Sequence, residues 1–277
     1  MKFAGKIVLV AGGTGGLGRA VSLAFSEEGA QVVITYRKPD EFAALQKEVE
    51  AKNSPIEGHA VDVTDETAAR ELVNLVLAKH GRVDTMVNAV GGYTGGTKLW
   101  ESDRKEFDYM LAVNFRPGLT LARAVIPAML KEGRGAIVNV ASKAAVDHQA
   151  GAAAYAASKA GALALMDSLA EELRGTGVRV NSVLPSIIDT EVNRRLLSDR
   201  ASEVLRCRAV VHGSAESIDG NSSLGGGRIK QRAGRPRSQG GTARAVFRIG
   251  EQPRSLVTGH RSRLFFRGVS HRSGNPC

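Results

Sequence analysis

Ile7-Val8-Leu9-Val10-Ala11-Gly12-Gly13-Thr14-Gly15-Gly16-Leu17-Gly18-Arg19 is the stretch that decides the fold. Five apolar residues in a row are the pattern of a strand covered on both faces, because a half-exposed strand would alternate. The glycines that follow permit a tight turn, and Ala20, Leu23 and Ala24 then recur at helical spacing. Strand, glycine turn and helix in that order suit a nucleotide, whose pyrophosphate rests on the helix N-terminus while the backbone comes close. A glycine cluster also serves ordinary turns, so the surrounding chain has to agree.

Downstream, the pattern repeats. Gln31 to Thr35 reads as strand, Glu41 to Ala51 as helix, Ile56 to Val61 as strand, Glu66 to His80 as helix and Val83 to Asn88 as strand. A long helix around Phe107 to Leu130 precedes the strand Gly135 to Ala141, and a helix from Ala153 to Arg174 precedes the strand Val178 to Val183. Such alternation with short connections predicts an α/β fold, a doubly wound parallel sheet of the Rossmann kind with six strands. Ligands of these sheets bind beyond the carboxyl ends of the strands.

Composition divides the chain. Its 277 residues carry a net charge of +10, which by itself would suggest nucleic acid or an anionic surface as partner. Residues 1–205 hold 24 basic and 25 acidic side chains, whereas residues 206–277 hold 14 and 3. That tail has 13 Arg to 1 Lys and only 14 Leu, Ile, Val and Phe, too few to build a core against the charge. The expected division is a globular catalytic unit over 1–205 and an Arg/Gly/Ser-rich, poorly ordered tail over 206–277. Out-of-frame translation of GC-rich coding is one origin for such a composition. Both cysteines, Cys207 and Cys277, lie in the tail, so residues 1–205 offer no disulfide and no Cys-based metal site. Neither a secretory leader nor an apolar run of membrane-spanning length is found, and a cytoplasmic location is expected.

Two places carry chemistry. After the second strand, NAD-type sites place a carboxylate for the ribose 2′-hydroxyl. Here the chain reads Tyr36-Arg37-Lys38, with two cations where a 2′-phosphate would lie, so NADP(H) is favoured. Further on, Tyr155-Ala156-Ala157-Ser158-Lys159 puts a phenol and an ammonium on one helix face. A neighbouring cation stabilises a phenolate and draws its pKa toward the working range.

With those residues in view, the chain resembles the short-chain dehydrogenase/reductase family over roughly residues 3–200, with the family's usual seventh strand missing or unrecognisable beyond them. The family's T-G-x-x-x-G-x-G appears with Ala11 for Thr, then Gly12, Gly16 and Gly18. Its Asp after the third strand is matched by Asp62-Val63, and its N-N-A-G by Asn88-Ala89-Val90-Gly91. Its helix Asn is matched by Asn114 and its strand-end Ser by Ser142. Asn181 to Ser186 resembles N-x-x-x-P-G with Ser for Gly, followed by Ile188 and Thr190.

The resemblance implies hydride transfer between a nicotinamide and a carbonyl or alcohol. Tyr155 would be the proton donor, Lys159 would lower its pKa and hold the nicotinamide ribose, and Ser142 would hydrogen-bond the substrate oxygen. Asn114 would position a water beside Lys159. Cofactor contacts are expected from Gly12, Thr14, Gly16, Leu17, Gly18, Arg37, Lys38, Asp62, Val63, Asn88, Ala89, Gly91, Pro185, Ile188 and Thr190. No metal is expected. The partners implied are a small-molecule carbonyl or alcohol and further copies of the chain, as a homodimer or homotetramer packed through Ala153, Ala156, Ala157, Ala160 and Gly161.

Three other readings concern less specific features. Trp100 is expected to anchor its loop by packing, the glycine-rich loop 91–96 is read first as a connector with substrate contact through Tyr93 as the less favoured alternative, and Lys143 and His148 line the pocket or lie at the surface. Two rival functions remain open from sequence alone: a cofactor-binding product made inactive by its altered C-terminus, and a non-specific nucleic-acid binder acting through the arginines.

Overall fold

Strand β1 (Ile7–Ala11) is buried throughout and feeds two cores at once. Ile7, Leu9 and Ala11 enter one core, Val8 and Val10 the other, as the two-residue period of a strand requires. The computed structural model describes residues 1–50, 56–188, 190 and 193, and strands at 208–213, 245–249 and 266–268. β2 (Gln31–Tyr36), β3 (Ile56–Ala60), β4 (Thr85–Asn88), β5 (Gly135–Val140) and β6 (Val178–Leu184) join β1 in the order β3-β2-β1-β4-β5-β6, every pair parallel. This is the expected doubly wound parallel sheet.

The helices are α1 (Gly16–Glu27), α2 (Pro39–Glu50), α3 (Glu66–His80), α4 (Arg104–Asn114), α5 (Arg116–Lys131) and α6 (Ala153–Glu172). Residues of α1 and α2, among them Val21, Phe25 and Leu45, pack with Val8, Val10, Val32 and Ile34 on one face. On the other face α3, α5 and α6 place Leu72, Leu121, Val125 and Met166 against Leu9, Met86 and Ile137. Each such fully buried aliphatic side chain contributes about 1.5–3 kcal/mol relative to exposure. Local signals set the ends: the Asp65 carboxylate accepts from Ala68 N at 2.7 Å to start α3. Gly81, at φ +78°, closes it in a left-handed conformation that other residues resist.

One element differs from its expectation. The single helix expected around 107–130 is two, α4 and α5, divided at Phe115. Pro117 has no N–H to give the carbonyl four residues back, so the ladder breaks and a new helix starts with proline in its first turn. The break places Asn114 at a helix end beside the site.

Beyond β6 the sheet continues with β7 (Arg208–Gly213), β8 (Ala245–Ile249) and β9 (Phe266–Gly268), each antiparallel to its neighbour. The tail's periodicity does not announce these short strands. The rest of the arginine-rich stretch, on which the nucleic-acid reading and the expected disorder rest, lies outside the described residues, as do Cys207 and Cys277.

Chain order reverses between β1, which leads outward to β2 and β3, and β4, which leads the other way. The loops after β1 and β4 therefore diverge and leave a crevice at the carboxyl ends.

Candidate active site

The loop after β1 is built around close backbone approaches. Gly12, at φ +73°, donates from N to Thr35 Oγ1 at 3.0 Å, and Gly13 N donates to Thr35 O at 3.0 Å. A Cβ on Gly18 would stand 2.0 Å from Gly12 O, and one on Gly13 2.5 Å from Ile34 Cβ, so neither position admits a side chain. Gly15 caps α1 with no side chain on its N–H groups, and the first turn holds no acidic residue. Those N–H groups and the helix dipole suit an anion such as a dinucleotide's pyrophosphate. Leu17 is half-buried in that turn.

Neighbouring loops close around it. Gly12 lies against Val90 and Ala89 after β4, and a Cβ on Gly16 would meet Thr190 Cγ2 at 2.8 Å. Ile188 O accepts from Thr190 N at 2.9 Å, and Pro185 O accepts from Lys143 N at 2.8 Å. Buried Asn88 donates to Asn139 Oδ1 at 2.9 Å and accepts from Val90 N at 3.2 Å, which fixes the start of the loop carrying Ala89 and Gly91. Val63 is buried, while exposed Asp62 turns its carboxylate to Thr64 N at 2.9 Å.

At the end of β2 the two cations differ. Lys38 donates to Glu41 Oε1 at 2.8 Å, and this carboxylate raises its pKa. The same carboxylate takes a bond from Thr14 Oγ1 at 3.1 Å. Arg37 is exposed, and no ion pair holds it among the described residues. Glu41 and Thr35 are the residues that motif reading missed here. Lys38 and Glu41 stand three apart at a helix start, a spacing that would have revealed the first. Thr35 is the only polar side chain in Val32-Val33-Ile34-Thr35, which would have revealed the second.

The second half of the site sits over β5 and β6. Tyr155, in the first turn of α6, is half-buried and edge-on to Tyr93, with ring centres 4.9 Å apart at 78°. Burial pushes its phenol pKa up, and a hydrogen bond with the Ser142 side chain opposes this. Ser142 is 7 % exposed, and its hydroxyl accepts from Ala144 N at 3.2 Å. One turn on, Lys159 is 5 % exposed and donates to Val140 O at 3.0 Å. Burial lowers its pKa to about 8.

Lowering of the Tyr155 pKa by Lys159, expected from their spacing, is not what the protein alone displays. Burial governs both groups, and each is pushed toward its neutral form. Both N–H groups of Asn114 are used and its oxygen keeps one lone pair: Oδ1 accepts from Gly92 N at 3.0 Å, and Nδ2 donates to Gly92 O at 3.0 Å and Ser158 Oγ at 3.1 Å. Its Oδ1 and the Lys159 Nζ approach the point a Gly91 Cβ would occupy to 2.9 and 3.1 Å, which is why a glycine stands there.

Comparison with known proteins accounts for this arrangement. Residues 6–201 match the family model for short chain dehydrogenases. The chain belongs to the short-chain dehydrogenase family. It is 34 % identical over 196 residues to a 3-oxoacyl-acyl-carrier-protein reductase of Thermotoga maritima, covering 71 % of this chain and 79 % of that protein. It is also 32 % identical over 202 residues to D-threitol dehydrogenase of Mycolicibacterium smegmatis, covering 73 % and 77 %. Among solved structures, a metagenomic short-chain oxidoreductase in complex with NADP is 37 % identical, with a TM-score of 0.64 over 68 % of this chain and 85 % of that one. NAD+-bound xylitol dehydrogenase is 28 % identical, with a TM-score of 0.67 over 71 % and 76 %. The family is one of oxidoreductases with nicotinamide cofactors, and of these two solved relatives one holds NADP and the other NAD+.

Peripheral expectations fare unevenly in this short-chain dehydrogenase. Trp100 is 79 % exposed with the Lys98 ammonium 5.4 Å from its ring centre, so it does not anchor its loop by packing. His148 is exposed, and Lys143 is exposed and paired with Asp147 at 2.6 Å. Of the small residues expected to meet another copy, Ala156 is buried within the chain and Gly161 faces Phe115, while Ala157 is exposed.

Proposed function

We propose that the chain is an NADP(H)-dependent oxidoreductase that interconverts a carbonyl and an alcohol, with Tyr155 as the general acid and base. The observation that carries this reading is the Tyr155 phenol, hydrogen-bonded to Ser142 and one helical turn from the buried ammonium of Lys159. When bound, the nicotinamide gives or takes the hydride. Ser142 Oγ and the Tyr155 hydroxyl both donate to the substrate oxygen, and charge that develops there is stabilised. In reduction Tyr155 passes its proton to that oxygen as the carbonyl carbon becomes tetrahedral. Burial keeps Tyr155 in the phenol form, which is the form that donates.

Lys159 has a second role, as cationic donor to the nicotinamide ribose, and Asn114 holds the strand-end loop and positions a water beside it. Gly12, Thr14, Gly16, Leu17 and Gly18 receive the pyrophosphate, Asp62 and Val63 the adenine side, and Asn88, Ala89, Gly91, Pro185, Ile188 and Thr190 the nicotinamide side. Arg37 and Lys38 take the 2′-phosphate, Lys38 by leaving Glu41. One such charge-assisted contact corresponds to about tenfold tighter binding of NADPH than of NADH. Equal affinities in a fluorescence titration would remove the NADP(H) assignment.

The catalytic unit is taken to end near residue 205, a reading supported by the family match to 201. No helix among the described residues is long and apolar enough to cross a membrane, and we place the enzyme in the cytoplasm. Tyr109, Leu111 and Leu130, exposed on α4 and α5, support assembly as a homodimer or homotetramer. The decisive experiment is Tyr155→Phe: NADPH oxidation against a carbonyl panel is lost while NADPH still binds. Retention of full turnover would refute the mechanism.

A further inference from the structure

We infer that Tyr93 forms one wall of the carbonyl pocket and selects substrates in which a planar aryl or conjugated group adjoins the carbonyl carbon. This rests on the role proposed for Tyr155 and deepens it.

Tyr93 is 64 % exposed, so most of its ring is open to a ligand. The loop is nevertheless anchored at three points. Gly92 is held through both N and O by the Asn114 amide at 3.0 Å, Thr94 Oγ1 donates to Glu106 Oε1 at 2.7 Å, and Gly96 N donates to Gly151 O at 2.8 Å. Between these anchors the Tyr93 ring lies along the loop toward α6. A Cβ on Gly95 would stand 2.4 Å from Tyr93 Oη, so the missing side chain there is what makes room for the phenol. The ring then ends edge-on to Tyr155, 4.9 Å between centres.

A carbonyl oxygen bonded to Tyr155 sits about 3 Å from its hydroxyl. A substituent that turns from the carbonyl carbon toward Tyr93 then comes within the roughly 4.5–7 Å range in which aromatic rings favour offset or edge contacts.

The test uses the full chain and two readouts. The first is kcat/KM for acetophenone against 2-butanone with NADPH. The second is saturation-transfer NMR with benzamide, a flat carbonyl compound that is not reduced under these conditions. Acetophenone is expected to be preferred. Tyr93→Ala and Tyr93→Leu each lower that preference about tenfold, the size of one aromatic pair, mainly through KM. Tyr93→Phe keeps the preference. Benzamide saturation transfer falls about fivefold or more in Tyr93→Ala. Trp100→Ala, outside the pocket, leaves both readouts as in the parent chain. An unchanged preference in Tyr93→Ala, an equal effect of Trp100→Ala, or no benzamide contact in the parent chain would each overturn the inference. If benzamide binds through Tyr93 but neither ketone is turned over, the Tyr93 site stands and the carbonyl-reductase reading falls. If 2-butanone is reduced with no dependence on Tyr93, the reverse holds.

Discussion

Replacing Lys159 by methionine is expected to make the folded chain more stable while removing its activity. Lys159 is 5 % exposed, and burial lowers its pKa from 10.5 to about 8. A shift of that size means the charged ammonium destabilises the fold by about 3 kcal/mol at pH 7. Methionine has similar length and no charge, so this cost disappears. The loss is the hydrogen bond to Val140 O at 3.0 Å, whose orphaned carbonyl takes back about 1–2 kcal/mol. The net gain is then about 1–2 kcal/mol, or roughly 3–6 °C in Tm for a domain of this size.

The pH dependence makes the test sharper. Between pH 8 and 10.5 the unfolded lysine holds a proton that the folded one has released, so the parent chain gains stability as pH rises through that window. The variant lacks this gain, so its advantage falls to zero between about pH 9 and 10 and reverses above that, where only the lost hydrogen bond to Val140 O counts. Urea unfolding followed by circular dichroism at pH 7, 8.5 and 10 gives both quantities. A variant less stable than the parent at pH 7, or one whose advantage does not change with pH, would refute the reasoning.

Further outcomes follow from other contacts. Glu57 shows the opposite titration: burial pushes its carboxyl up, but hydrogen bonds from Lys79, His59 and His80 outweigh this and hold it at about 2. Its contribution is present above pH 4.5 and lost as pH falls toward 2, so Glu57→Gln costs about 1–2 kcal/mol at pH 7 and almost nothing at pH 2.5, by thermal melting. Gly18→Ala forces a methyl to 2.0 Å from Gly12 O. It is expected to lower stability by about 1–3 kcal/mol and to abolish quenching of protein fluorescence by NADPH; unchanged binding would show that the loop is not the cradle. Glu41→Gln releases Lys38 and Thr14 from the carboxylate. NADPH should then bind up to about fivefold tighter relative to NADH; a fall in that ratio would mean Glu41 orients the cations rather than competing for them.

Much of the frame was legible because it depends on local rules. The apolar run of β1, the turn glycines and the alternation of strands and helices each require particular residues at particular spacings, and element ends agree to within a few residues. Tyr155 and Lys159 share a helix face by spacing alone. The division of one long helix at Phe115 was legible in principle through Pro117, but apolar periodicity runs across the break and masks it. Trp100 illustrates the opposite limit, because nothing in its neighbours specifies whether a large ring meets a core.

The sequence by itself determined the fold class, the cofactor crevice and the residue types that meet there, because backbone geometry and side-chain periodicity act over a few residues. Only the tertiary structure decided how the site is biased. Lys159 is buried against Val140 O, Lys38 is turned to Glu41, and Tyr93 is pressed to Tyr155 by a loop fixed at Asn114, Glu106 and Gly151. Those contacts join residues from different elements, and burial and charge between them arise only once the sheet has closed.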